Sequence, residues 1–221
     1  MAGPIFDNMD FTSFSREVSK IKNLPLPGRE SHYKMAPQLR IDELERGVQP
    51  RKNPRKAGVM ALFYPGHDNR TYLLFILRKT YAGVHSNQIG FPGGKQEAID
   101  SSLLDTALRE SEEEVGIDPD RVTVIRPISE LYIPPSNFEV RPYIGVYDKS
   151  RPFTIQESEV AALVEVPFIE VMDERVLTTR KMRTSYASEL EVPAFELGGY
   201  IVWGATAMML SEIKELFKRV I

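Results

Sequence analysis

A glycine pair followed by an amphipathic, acidic helix is the feature that most constrains this chain. The Gly93–Gly94 pair follows a proline, so backbone there can approach a ligand or a metal without obstruction by side chains. The segment from Ser102 to Val115 has helical periodicity. Asp100 or Ser101 is placed to cap its start, and Gly116 is placed to end it.

Three glutamates of this helix are spaced to share one face. Glu110, Glu113 and Glu114 stand at positions i, i+3 and i+4. Like charges at this spacing cost about 0.2–0.5 kcal/mol per pair, and the helix dipole disfavours acids in its C-terminal half. A hard divalent cation would offset this repulsion, because Mg²⁺ prefers oxygen ligands. The alternative is a solvated acidic face, which is common on surface helices.

The segments around this helix predict an α/β sandwich built on a mixed sheet. Gly58–Tyr64 and Tyr72–Leu77 are apolar and β-prone, and a turn-rich link between them predicts a hairpin. Residues 157–163 are expected to form a short helix or turn, and residues 206–220 a helix with one buried stripe. Further strands are predicted at 122–128, 130–133, 140–147, 164–167, 176–184 and 194–197.

Residues 1–55 are predicted to form an N-terminal extension with short helices, ahead of a domain over residues 56–221. Phe11–Leu24 carries apolar residues at helical spacing, and Ile41–Arg46 is a second short helical segment ended by Gly47. Three roles for the extension remain open. It covers the site, builds the interface of a homodimer, or is a passive tail.

Composition excludes several classes of site. The formal net charge is −3, which argues against nucleic-acid binding driven mainly by charge. The absence of cysteine excludes disulfides, thiolate zinc sites and a cysteine nucleophile. The N-terminus lacks the pattern of a signal peptide, and apolar runs of about 18 residues are missing, so no membrane span is expected. The expected location is cytoplasmic.

The glycine pair and the helix together resemble the Nudix box. That signature has a glycine, five residues, Glu, seven residues, then Arg-Glu, an apolar residue, any residue, Glu-Glu, any residue, Gly and an apolar residue. Arg109 to Ile117 matches its second half, with Ser111 in place of the apolar residue. Gly94 lies one residue further from Arg109 than the box requires. The simplest explanation is a one-residue insertion with Asp100 in the role of the first Glu, although counting back from Arg109 gives Ser101.

Segments outside the box are similar to coenzyme A pyrophosphatase-like Nudix proteins. Within that resemblance, Gly83 stands where the group has an arginine and Asn87 where it has a glycine. The resemblance runs from about residue 57 to 217. It is carried by Leu77-Arg78, His85 to Gly94, Pro135 to Gly145, Glu157 to Val160, Glu165 to Pro167 and Ile201 to Ala207.

The resemblance implies a Nudix-type α/β/α sandwich with a mixed β-sheet and a catalytic loop-helix. It implies an enzyme that uses Mg²⁺ or Mn²⁺ to hydrolyse a pyrophosphate bond in a nucleoside diphosphate derivative. Coenzyme A or a related compound is the expected small-molecule substrate, and ADP-ribose or another nucleotide is the alternative. A Nudix fold that binds a ligand without turnover is the third hypothesis.

The same resemblance suggests which residues hold the metal. Glu110 and Glu114 are expected as direct ligands, and Glu113 completes the shell or orients a metal-bound water. The carbonyl of Gly94, or of its neighbour Gly93, adds a further ligand.

Other residues are expected to act on the substrate or to support the site. Arg109 holds the loop and the helix together, with an exposed surface arginine as the alternative. Glu159 is preferred over Glu157 as general base because the group has a Glu directly before Val160, although both are equally compatible with ordinary surface acids. Three cationic or titratable side chains are expected to contact substrate, each with a structural or solvent role as the alternative: Arg78, His85 and Lys95.

Overall fold

A mixed sheet forms the centre of the fold. The computed structural model describes residues 9–46, 52–79, 87–149, 153–182 and 189–221. Within them, the sheet consists of β1 (Arg55–Pro65), β2 (Thr71–Arg78), β3 (Ile89–Gly90), β4 (Gly93–Lys95), β5 (Val122–Pro127), β6 (Leu131–Ile133), β7 (Phe138–Tyr147) and β8 (Val160–Pro167). Strand β1 pairs in parallel with β7 and antiparallel with β2 and β4, and β2 also pairs with β3 and β8.

Helices and a smaller antiparallel sheet surround this centre. The smaller sheet contains β9 (Leu177–Met182), β10 (Leu190–Leu197) and β11 (Tyr200–Trp203). The described α-helices are α1 (Phe11–Val18), α2 (Arg29–Tyr33), α3 (Gln38–Glu45), α4 (Leu103–Val115), α5 (Phe168–Met172) and α6 (Gly204–Phe217). Short 3-10 helices occupy Ser19–Asn23, Pro119–Arg121 and Glu174–Val176. None of the described helices is long and apolar enough to cross a membrane.

The two faces of the central sheet support separate hydrophobic cores. Side chains alternate along a strand, so in β1 Val59 and Phe63 join one core whereas Met60 and Leu62 join the other. Helix α4 packs on the second face, and α6 packs on the first. The predicted α/β/α sandwich with a mixed sheet is therefore confirmed.

Residues of the predicted N-terminal extension contribute to the same core as α6. The ring of Phe14 lies 5.1 Å from that of Phe63, 4.9 Å from that of Phe168 and 5.5 Å from that of Phe217, between centroids. Phe14 is fully buried. The segment therefore packs on the sheet face opposite α4, and the boundary at residue 55 stays a prediction.

The structure corrects three local expectations. Ser102, not Asp100 or Ser101, caps α4, because its side chain accepts a hydrogen bond from the backbone N–H of Asp105. Residues 157–159 form the expected turn, but 160–163 belong to β8, where pairing with β2 imposes an extended backbone. A loop is predicted at 79–94. Its described residues contain β3 and the start of β4.

Candidate active site

Three carboxylates meet at one edge of the sheet. Glu110, Glu114 and Glu159 each offer an oxygen atom, and these atoms all lie within 4.8 Å of one another. Helix α4 carries the first two on adjacent turns. Strand pairing supplies the third, because β8 pairs with β2 and the carbonyl of Glu159 accepts from the N–H of Lys79 at 2.8 Å. Of the three, Glu114 is buried, Glu110 is partly buried and Glu159 is exposed.

Glu114 is held against the glycine pair by two donors. It accepts from the backbone N–H of Gly93 at 2.8 Å and from Nη1 of Arg78 at 3.3 Å. Arg78 also donates from Nη2 to the carbonyl of Gly93, at 2.7 Å. Burial raises the pKa of Glu114 to about 7, although Arg78 and the Gly93 N–H act in the opposite direction. A cation near this carboxylate would favour its ionised form.

Glu110 lies beside Gly94. As for Glu114, its surroundings disfavour the ionised form of its carboxyl. Its pKa is raised mainly by burial and further by Glu113 and Glu159, against the lowering effect of Arg109. A Cβ atom at Gly94 would overlap the Glu110 carboxylate. Glycine is therefore what allows the backbone of β4 to lie against this acid. The carbonyl of Gly93 accepts from Nη2 of Arg78, and Gly94 pairs with Gly58 of β1. Either carbonyl as a metal ligand therefore stays a prediction.

Asp100 is the partner of Arg109. Arg109 donates from Nε to Oδ1 of Asp100 at 2.8 Å and from Nη2 to Oδ2 at 2.9 Å. Asp100 also accepts from the N–H of Glu97 at 2.8 Å and the hydroxyl of Thr106 at 3.0 Å. Arg109 holds the pKa of Asp100 well below its usual range. This bidentate pair ties the loop to α4, whereas Ser101 bonds Asp105 instead.

Glu113 lies apart from the group of three carboxylates. It accepts from Nη1 of Arg109 at 3.2 Å, and its side chain is 56% exposed. Spacing on a helix placed it on the same face as Glu110 and Glu114, but only those two point at the glycine pair. The third member of the group is Glu159, which the sequence suggested as a base.

The remaining predicted residues are distributed around this centre. Lys95 is exposed at the end of β4, and its carbonyl accepts from Nη2 of Arg109 at 3.3 Å. Glu157 is an exposed turn residue. His85 and Gly83 lie outside the described residues.

Two asparagines adopt the left-handed conformation: Asn87, which stands where the resemblance predicts glycine, and Asn137. Asn87 has φ +56° and Asn137 has φ +52°. Asparagine is among the non-glycine residues that best tolerate this region. Both asparagines therefore hold a backbone conformation that a glycine would also provide.

A cavity of about 620 Å³ adjoins the glycine pair. It lies on the sheet face opposite α4, and its lining includes Arg78, Gly94 and Lys95. The walls are mostly apolar, with contributions from Val59, Leu131, Ile133, Phe138, Val140, Val192, Trp203, Met208 and Met209. Of these wall residues, Phe138, Val140 and Trp203 lie in segments that carry the resemblance. Sequence analysis offered no separate signal for the others.

Comparisons with known proteins identify the family of this chain. The family model of the NUDIX domain matches residues 54–186. Two curated proteins, each named uncharacterized Nudix hydrolase NudL, from Salmonella paratyphi B and Salmonella newport, are 33% identical over 145 residues, covering 64% of this chain and 72% of each relative. The crystal structure of RenU, a Nudix hydrolase from M. smegmatis, has a TM-score of 0.52 at 13% identity, covering 76% of this chain and 88% of that one, which shows the fold alone. This chain belongs to the Nudix hydrolase family, whose members hydrolyse nucleoside diphosphate derivatives and require divalent metal ions.

Proposed function

We propose that this protein hydrolyses the pyrophosphate bond of coenzyme A or a closely related compound, with Mg²⁺ or Mn²⁺ as cofactor. The observation that carries the proposal is the group of three carboxylates beside the glycine pair. The same glycine pair and Arg78 also line a cavity of about 620 Å³, which is large enough for a nucleotide. The segments similar to coenzyme A pyrophosphatase-like proteins support this substrate over ADP-ribose. The left-handed Asn87 and Asn137 are consistent with that choice, because they preserve the local backbone.

The donor set suits a hard divalent cation. Carboxylate oxygens are the ligands that Mg²⁺ and Mn²⁺ prefer. The pKa values of Glu110 and Glu114 are raised because Arg109 and Arg78 offset only part of the effect of burial and of the neighbouring acids. Glu110 and Glu114 would hold the ion, with the carbonyl of Gly94 as a further ligand, and Glu159 would lie beside it. A bound ion would neutralise charge on the phosphates and acidify the attacking water.

The protein's own side chains divide the remaining tasks. Glu159 is the exposed member of the group, so it is the best placed to accept a proton from an incoming water. Arg78 and Lys95 line the cavity beside the carboxylates and would bind the substrate's phosphates. Asp100 and Glu113 hold Arg109, which fixes the loop relative to α4.

The test is a substrate profile combined with matched variants of α4. Wild-type protein with Mg²⁺ or Mn²⁺ is expected to convert coenzyme A into phosphopantetheine and adenosine 3′,5′-bisphosphate, detected by mass spectrometry, and chelation should abolish the reaction. Glu114→Gln should lower kcat by more than about 100-fold, since even partners of metal ligands contribute about 10–100-fold. Glu112→Gln is the control, because Glu112 is exposed on the same helix.

Two outcomes would contradict parts of the proposal. Full activity of Glu114→Gln, or hydrolysis that persists under chelation, would contradict the metal site. A higher kcat/KM for ADP-ribose than for coenzyme A would leave the hydrolase assignment intact and make the substrate assignment wrong.

A further inference from the structure

Two arginines lie against the glutamates of α4 that border the glycine pair. Nη1 of Arg109 is 3.1 Å from Oε1 of Glu110, and Nη1 of Arg78 is 3.3 Å from Oε1 of Glu114. Both carboxylates are proposed ligands of a divalent cation. Two cations that share a carboxylate repel each other. Each arginine therefore opposes metal binding unless its guanidinium can move or its charge is balanced by other acids.

Arg109 is fixed, and other acids balance its charge. Its bidentate pair with Asp100, at 2.8 and 2.9 Å, involves a carboxylate whose side chain is only 3% exposed. It also donates to Glu113 at 3.2 Å and to the carbonyl of Lys95 at 3.3 Å. None of these bonds involves Glu110, so Arg109 stays anchored when Glu110 changes its partner.

The guanidinium of Arg78 has fewer anchors. Within the described parts of the chain, Glu114 is the carboxylate with which it forms an ion pair, and its other side-chain bond goes to the neutral carbonyl of Gly93 at 2.7 Å. The backbone N–H of Arg78 donates to the carbonyl of Gln88 at 3.1 Å and holds the strand in place. The side chain is 26% exposed and lines the cavity together with Gly90, which has no side chain to obstruct it. Rotation into the cavity would therefore break two side-chain bonds and leave the sheet intact.

We propose that Arg78 couples metal binding to substrate binding: its guanidinium holds Glu114 until a divalent cation binds there, and then turns into the cavity to bind the substrate's phosphates. The inference rests on the proposed function and adds an order of binding to it, metal before substrate. The released guanidinium suits this task, because arginine forms bidentate, charge-assisted hydrogen bonds with phosphate. Lys95 lines the same cavity and adds a second positive charge.

Calorimetry with Mn²⁺ alone, at about pH 8 to favour deprotonated ligands, tests the first half of the inference. Arg78→Gln keeps an amide that can donate to the carbonyl of Gly93 but removes the charge. It should bind Mn²⁺ at least about tenfold more tightly than the wild type, because a neighbouring cation changes the charge balance of a carboxylate by at least that factor. Arg78→Lys keeps the charge and should retain the wild-type affinity. Arg121→Gln is the control, because Arg121 is an exposed arginine paired with Asp148 outside the cavity lining.

Binding of a pyrophosphate analogue tests the second half. The probe is α,β-methylene-ADP, in which a carbon atom replaces the bridging oxygen and prevents hydrolysis. In saturating Mn²⁺, Arg78→Gln should bind this probe at least about tenfold more weakly than the wild type, the effect of losing a hydrogen bond between charged partners. Tighter metal binding together with weaker phosphate binding identifies the coupling, since an arginine that only supports the fold would weaken both when removed.

The outcomes separate this inference from the proposed function. Weaker or unchanged Mn²⁺ binding by Arg78→Gln, unchanged affinity for the probe, or equal effects of Arg121→Gln would overturn the inference. Arg78→Met, which also lacks the charge, replaces Arg78→Gln if circular dichroism shows that the glutamine variant fails to fold. Opposite shifts of the two affinities in a protein that hydrolyses neither coenzyme A nor ADP-ribose would contradict the proposed function alone.

Discussion

Replacing Glu114 with glutamine in the metal-free protein should remove a specific pH dependence of the free energy of unfolding. Glu114 is 1% exposed. Burial raises the pKa of its carboxyl from 4.5 to about 7. One pKa unit corresponds to about 1.4 kcal/mol, so this rise disfavours the ionised form by about 3 kcal/mol.

The sign of this pH dependence follows from the number of protons bound by the folded and the unfolded chain. Between pH 4.5 and about 7, the folded protein keeps a proton on Glu114 that the unfolded chain has released. The stability that this proton contributes is fully present below pH 4.5 and is lost as the pH rises through about 7. Glutamine does not titrate. The free energy of unfolding of the wild type relative to Glu114→Gln should therefore fall by about 3 kcal/mol between about pH 4.5 and pH 8.

Urea unfolding followed by circular dichroism, with a chelator present, measures this difference across the pH range. Glu112→Gln, which changes an exposed acid of the same helix, should follow the wild type. Addition of Mg²⁺ or Mn²⁺ above pH 7 should stabilise the wild type far more than Glu114→Gln, because metal binding requires deprotonated ligands. A difference between wild type and Glu114→Gln that stays constant or grows with pH would refute the reasoning.

Three further substitutions test the surroundings of the site. Gly94→Ala should lower Mn²⁺ affinity about 10–100-fold with little effect on unfolding, because the new Cβ displaces the movable carboxylate of Glu110; unchanged affinity by calorimetry would contradict this. Asp100→Asn should reduce the free energy of unfolding at neutral pH by about 3 kcal/mol, because it breaks the pair with Arg109. Since Arg109 lowers the pKa of Asp100, this difference between variant and wild type should become smaller in acid. Glu212→Gln should destabilise the protein by about 1–3 kcal/mol and speed amide hydrogen exchange in α2, because the buried Glu212 carboxylate accepts from His32 and Gly28. Slow exchange in α2 of the variant would be inconsistent with that role.

Elements with a strong local pattern were predictable from the sequence. The β1–β2 hairpin, the α4 helix ended by Gly116 and the buried stripe of α6 all depend on periodicity or on turn residues close in the chain. Met209 and Phe217 of that stripe are buried as predicted. The start of β8 was missed because residues 160–163 become a strand through pairing with β2, which lies far away in the sequence.

The sequence by itself determined that acids crowd one turn of a helix next to a glycine pair, because helical spacing fixes which residues are neighbours. It also determined the family, since the motif depends on local spacing. Only the tertiary structure decided that Glu159 joins Glu110 and Glu114 while Glu113 turns to Arg109, and that Arg40 lines the cavity. These relations depend on strand pairing and on packing between distant segments, and local periodicity carries no information about either.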